Sequence, residues 1–197
     1  YEELYKIGVK LFAKCTAPII LAALGGLVAL CASFINIHTL EIQRVCGLQL
    51  LWPSQLKPED GSNALNQPGA EQVVEHSEGW QGSAGDAIIT VLCTTYRWHV
   101  SPDLDAGANG ALQLFPRNCG LSNVSARASR TTVSGFEARR ITISGDRIAG
   151  LKRNTTAVYV DGLYILRGST LWVVIMVSTT RKDTELTDKV LASVALE

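Results

Sequence analysis

The chain has 197 residues, 18 of them Lys or Arg and 18 Asp or Glu, so its formal net charge at pH 7 is zero. That length holds one ordinary domain plus extensions. The balanced charge gives the molecule no global electrostatic pull toward nucleic acid or acidic polymers, so nucleic acid is not an expected partner.

The 47% hydrophobic fraction is unevenly distributed. In residues 1–16, Glu2, Lys6, Lys10 and Lys14 recur four apart and share one helical face, with Glu2 and Lys6 a favourable pair. This cytoplasmic or interfacial segment either lies on lipid head groups or against a partner, or simply continues the apolar helix that follows. Residues 17–38 read as a transmembrane helix. Pro18 to Ile37 carry no charge, and that run at about 1.5 Å per residue gives roughly 30 Å, the thickness of a bilayer's hydrocarbon core. A lone segment in lipid satisfies its peptide groups only as a helix. A buried helix of a soluble core competes with this reading, but Gly25 and Gly26 are costly there. In a membrane, the pairs Ala22/Gly26 and Gly25/Ala29 make a small-residue face against which a partner helix can pack. Lys6, Lys10 and Lys14 precede the span and only Arg44 follows closely. The bias places the N-terminus in the cytoplasm and the C-terminal part in an extracytoplasmic, periplasmic-type space.

Residues 39–85 read as an extended connector. Pro53, Pro58 and Pro68 alternate with Gly61, Gly69, Gly79, Gly82 and Gly85 among polar residues, a composition poor in core-forming side chains. Residues 86–197 read as a soluble α+β domain, an antiparallel sheet packed by helices. A β-branched and aromatic run predicts a strand over 87–98. Leu104, Ala108, Ala111, Leu112 and Phe115 recur at helical spacing up to Pro116. Residues 116–135 read as loop with one short edge strand near 131–133. Strands follow over 136–144, over 155–167 with a break at Asp161-Gly162, and over 171–178, the last two joined as a hairpin through Gly168. A final helix covers 183–196, with Leu186, Val190, Leu191 and Val194 on one face.

This order of elements resembles the PsbP-type α/β/α sandwich of photosystem accessory proteins and bacterial surface proteins. The resemblance rests on VSGFEARRITISG (133–145), VDGLYILRGSTLWVVIMVS (160–178) and DKVLASVALE (188–197), with Gly135, Ala138, Tyr164, Ser193 and Val194 at fitting positions. It covers residues 85–197 and implies a binding or assembly domain used without catalysis. It also brings in photosynthesis, or another energy-converting complex, as a setting. The membrane helix and connector depart from the soluble members of that family.

Cys93 and Cys119 both fall in the soluble domain and form the candidate disulfide, against the alternative of two buried thiols. Their spacing matches no zinc ribbon or thioredoxin motif. His38, His76 and His99 are scattered. His99, Asp103 and Asp105 read as a polar strand-to-helix turn before they read as a catalytic set. The run from Asp103 lacks the Gly and Glu of an EF-hand, since Ala108 and Leu114 stand there. Arg127, Arg130, Arg139, Arg140, Arg147, Lys152 and Arg153 form a basic stretch, either a solvated sheet edge or a docking surface for an acidic partner. No phosphate-binding, dinucleotide, nucleophile-elbow or metalloprotease motif occurs. No catalytic, cofactor or metal residue is assigned, and an enzyme is not expected. The expected function is a non-catalytic accessory subunit of a larger membrane complex, with integral membrane proteins and the bilayer as partners. The alternative is a membrane-anchored extracytoplasmic binding module or sensor, for which a deep pocket is the distinguishing feature.

Overall fold

Side chains that alternate between two faces need both faces covered, and the covering elements here come from both ends of the domain. The computed structural model describes residues 40–59, 70–149, 154–179 and 184–197. In chain order these form β1 (Glu41–Val45), β2 (Leu48–Trp52), β3 (Lys57–Glu59), α1 (Ala70–Val73), β4 (Val74–Ala84) and β5 (Ala87–Tyr96). Then follow α2 (Leu104–Asn118), β6 (Leu121–Val133), β7 (Phe136–Ala149), β8 (Asn154–Arg167), β9 (Thr170–Ser178), α3 (Thr184–Ser193) and β10 (Ala195–Leu196). The expected segments 1–16 and 17–38, with Ala22, Gly25, Gly26 and Ala29, lie outside the described residues. Among the described residues, no helix is long and apolar enough to cross a membrane.

A seven-stranded sheet, ordered β3-β4-β5-β9-β8-β7-β6, carries the domain, and every pairing in it is antiparallel. On one face α2 packs its Leu104, Ala108, Ala111 and Phe115 against Ile141, Ile143, Val160, Tyr164 and Val173. Small residues keep this helix close to the sheet: Ala108 and Ala111 pack in the interface, and a Cβ on Gly107 would meet Tyr164 Cδ1 at 3.8 Å. The other face is covered by α3 and by a small sheet, β1-β2-β10. There Leu48, Leu50 and Trp52 join Leu186, Val190 and Val194 over Ile89, Val91, Leu163, Ile165 and Val174.

The turns follow from local chemistry. Cys46 and Gly47 both take positive φ (50° and 70°) between β1 and β2, as do Ser134 and Gly135 (50° and 81°) between β6 and β7. Two-residue hairpin loops with both residues left-handed match the twist of the strands they join.

Several expectations change. The stretch 39–85 is not a connector where it is described: it supplies four strands and a short helix. Its Pro and Gly masked a clear alternation, because Leu48, Leu50 and Trp52 are fully buried while Gln49 and Leu51 are not. β4 is polar because one of its flanks is covered only by the three-residue β3, yet ladder bonds to β5 hold it. Residues 121–133 are one long strand rather than a loop with a short edge strand. Pro116 does not end α2, which runs to Asn118 with Cys119 as its cap. β8 passes unbroken through Gly162, where a Cβ would meet Ile141 Cγ1 at 3.0 Å and Val174 O at 3.2 Å. The final helix stops at Ser193, and Ala195–Leu196 pairs with β2.

Candidate functional site: a pinned aromatic loop and a basic sheet edge

Of the seven basic residues, Lys152 and Arg153 lie outside the described residues. Arg139 is not a surface residue: it is 4% exposed, and its guanidinium donates to both carboxylate oxygens of Asp105, to Glu137 and to the Ala138 carbonyl. These carboxylates raise its pKa, and the same bond with Arg139 holds Asp105 below the usual carboxylate range. The pair ties β7 to the first turn of α2 and is structural. Arg140 bridges Asp161 (3.2 Å) and Asp188 (2.6 Å), joining β7, β8 and α3. Arg147 is half-buried and faces the Cys119 side of the sheet. Arg127 and Arg130 stay exposed on β6 and enter no ion pair among the described residues. Carboxylates at 105, 137, 161 and 188 thus take up Arg139 and Arg140, and the exposed cations that remain on the sheet edge are Arg127 and Arg130.

The expected disulfide is also corrected. Cys93 bonds to Cys46, and Cys119 is a free, buried thiol. The reason is facial: Cys93 lies on the side covered by the β1-β2 hairpin, while Cys119 caps α2 on the opposite side. Burial pushes the Cys119 thiol up to about 11. A raised thiol pKa favours the folded state below the unfolded value and costs stability as pH rises through the window up to the folded one. We expect stability to fall between about pH 9 and 11, and native Cys119 to alkylate only slowly at pH 8. Substituting Cys119 with Ser should reduce that alkaline slope in a series of urea titrations, the remainder coming from buried Tyr164, whose pKa burial also raises.

Another feature lies where β5 gives way to α2. The expected strand 87–98 ends at Tyr96, and the backbone then turns sharply. Tyr96 N donates to Ser169 O (2.9 Å), Arg97 N to Val73 O (3.0 Å) and Val100 N to Arg97 O (2.8 Å). Arg97 Nε reaches Glu71 O at 2.7 Å. Asp103 then caps α2, accepting from the backbone N–H of Asp105 (2.8 Å) and Ala106 (3.1 Å). A loop held at both ends thus projects Trp98, which is 93% exposed, with His99 stacked edge-on at 5.5 Å. An open groove of about 310 Å³ runs between this loop and the Gly168–Ser169 turn. His99, Asp103 and Asp105 do not converge: one meets Trp98, one caps the helix, one holds Arg139. Sequence reasoning missed Trp98 by continuing the strand through it. The available signal was Pro102-Asp103, which demands a turn just beyond.

No family model matches the chain, and no curated protein sequence matches it. Solved structures do. Cyanobacterial PsbP (CyanoP) from Synechocystis sp. PCC 6803 is 13% identical over 87% of this chain and 100% of that one, with a TM-score of 0.50. The fold is PsbP-like. The Saccharomyces cerevisiae Ran-binding protein Mog1p is 12% identical over 80% of this chain and 96% of its own, at 0.45. LpqN of Mycobacterium tuberculosis, involved in cell envelope biogenesis, is 13% identical over 60% and 70%, at 0.38. The PsbP-like match covers more of the chain than the stretch from residue 85, in keeping with strands that begin at Glu41.

Proposed function

We propose that the chain is a non-catalytic accessory subunit that docks on a larger membrane assembly through the Trp98 loop. The observation that carries this reading is Trp98 itself, a large aromatic held in solvent by a hydrogen-bonded loop. Leaving a tryptophan exposed has an energetic cost in a free monomer, and rigid aromatic side chains are the commonest anchors of protein interfaces. Arg97 and His99 flank it, so its partner surface is expected to be apolar with an acidic rim.

The placement of the chain's entry supports this. Trp52 pairs with Glu41 and packs over Gly82, at the end of the sheet away from Cys93 and the Trp98 loop. With residues 17–38 as a membrane anchor, Glu41 follows within a few residues. The Trp98 end then points away from the bilayer, toward a protein neighbour rather than lipid. The Cys46–Cys93 bond supports an extracytoplasmic location, since disulfides persist in oxidising compartments. PsbP-type accessory proteins make a photosynthetic or other energy-converting complex the first assembly to examine. The alternative of a ligand sensor fits less well, because the groove beside Trp98 is open rather than the enclosed cavity that buries a small molecule.

Trp98→Ala is expected to weaken assembly by roughly 2–4 kcal/mol, about 30- to 1,000-fold, with the thermal midpoint unchanged. Co-purification in mild detergent, compared with wild type, reads the effect. Retention of partners at wild-type stoichiometry by the variant would rule out this loop as the contact.

A further inference from the structure

We infer that the β6 edge of the large sheet accepts an extended acidic segment of a partner protein as an additional strand. β6 is the terminal strand on its side of the sheet, and its strand partner among the described residues is β7 alone. It is 13 residues long, and positions 122–130 are all exposed, on both faces. One side of its backbone therefore offers unpaired N–H and C=O groups along most of its length, a template for strand addition. The opposite edge is divided, since β3 pairs only with Gly79–Gln81 of β4 and leaves five residues of that strand on one side of it and three on the other.

The charge pattern identifies the occupant. The sequence of β6, LSNVSARASRTTV, holds two arginines and no carboxylate. Arg127 lies opposite Thr142 and Arg130 opposite Arg139, so an odd spacing puts them on opposite faces. Arg139 is already held by Asp105 and Glu137 and cannot be the cation that an incoming chain meets. A second β6 would bring arginine toward arginine. A strand with carboxylates three positions apart would meet one arginine on each face. The same two charges that deter self-pairing therefore select an acidic strand. The shift between Ser122 and Ser125, where Asn123 takes φ 51° and bonds Asp146, breaks regular pairing at one end and leaves 125–133 as the usable stretch.

The probe is a short Thr/Val peptide carrying two glutamates three positions apart, with a lysine counterpart and an alternately N-methylated form as controls. Amide hydrogen exchange of the full chain is followed at β6. The expected result is slowed exchange at every second β6 amide with the glutamate peptide only. Arg127→Glu with Arg130→Glu should weaken binding about tenfold or more, at unchanged thermal midpoint. Equal binding by the lysine peptide or the N-methylated peptide would overturn the inference. So would β6 protection that grows with protein concentration alone, since the occupant would then be a second copy. The Trp98→Ala variant should bind the peptide normally, so failure of the docking loop and failure of the edge are separable.

Discussion

Cys46→Ser is expected to lower the stability of the domain by about 4 kcal/mol, the chain-entropy value for a cross-link closing a loop of 47 residues. Reduction of the wild type should produce the same loss, and both can be read from urea midpoints at neutral pH. Cys119→Ala should cost much less there, because that thiol is free and only its own packing is lost. The cross-link holds the β1-β2 hairpin against β5, and Trp172 Nε1 adds a hydrogen bond to Cys46 O at 2.8 Å. Had Cys93 paired with Cys119, the sensitivities of Cys46 and Cys119 would be exchanged. Peptide mapping without reduction gives an independent answer: the fragments with Cys46 and Cys93 should travel together.

Trp52→Ala is expected to cost about 3–5 kcal/mol, the range for removing a large aromatic from a filled core. Trp52 is fully buried and lies so close to Gly82 that a Cβ there would sit 2.6 Å from its indole nitrogen. Among the described residues that nitrogen has no hydrogen-bond partner, which costs about 1–3 kcal/mol in a buried donor. Trp52→Phe removes the stranded donor along with some volume, so its cost should be well below that of the alanine variant. The contrast measures packing separately from polarity. A neutral Trp52→Ala would mean that residues 40–59 are dispensable, as a connector would be.

The sequence was most readable where one face of an element is buried and the other is not. β5, β7 and α3 show that pattern, and each was expected to within about five residues of its observed bounds. β9 was expected although it is buried on both faces, because its seven-residue apolar run is rich in β-branched residues. β6 was missed for the converse reason. Both of its faces are exposed, so it carries no apolar periodicity and is defined only by hydrogen bonds to β7. β1 and β2 were missed because a hairpin of five-residue strands beside a Pro- and Gly-rich stretch looks like linker, and the other strand paired to β2, β10, lies more than a hundred residues away. β10 ends the chain on β2, with Glu197 N bonded to Gly47 O at 3.0 Å. Nothing local in the sequence announces such a closure.

The site was legible in part. Charge counting found the arginines but not which carboxylates would claim them. Arg139 and Arg140 are spent on α2 and α3, a matter of three-dimensional placement. Arg127 and Arg130 stay exposed and outside any ion pair among the described residues because β6 contains no acid and ends the sheet. Trp98 stood in plain view, but its exposure depends on the hydrogen bonds that turn the chain at Arg97.

The most direct measurement of the accessory-subunit account is the size of the native particle in a mild-detergent extract of the source membranes. The account predicts that the chain migrates with partner proteins in fixed stoichiometry, well above the mass of one copy. Migration as a single free chain, under conditions that keep other membrane complexes whole, would contradict it.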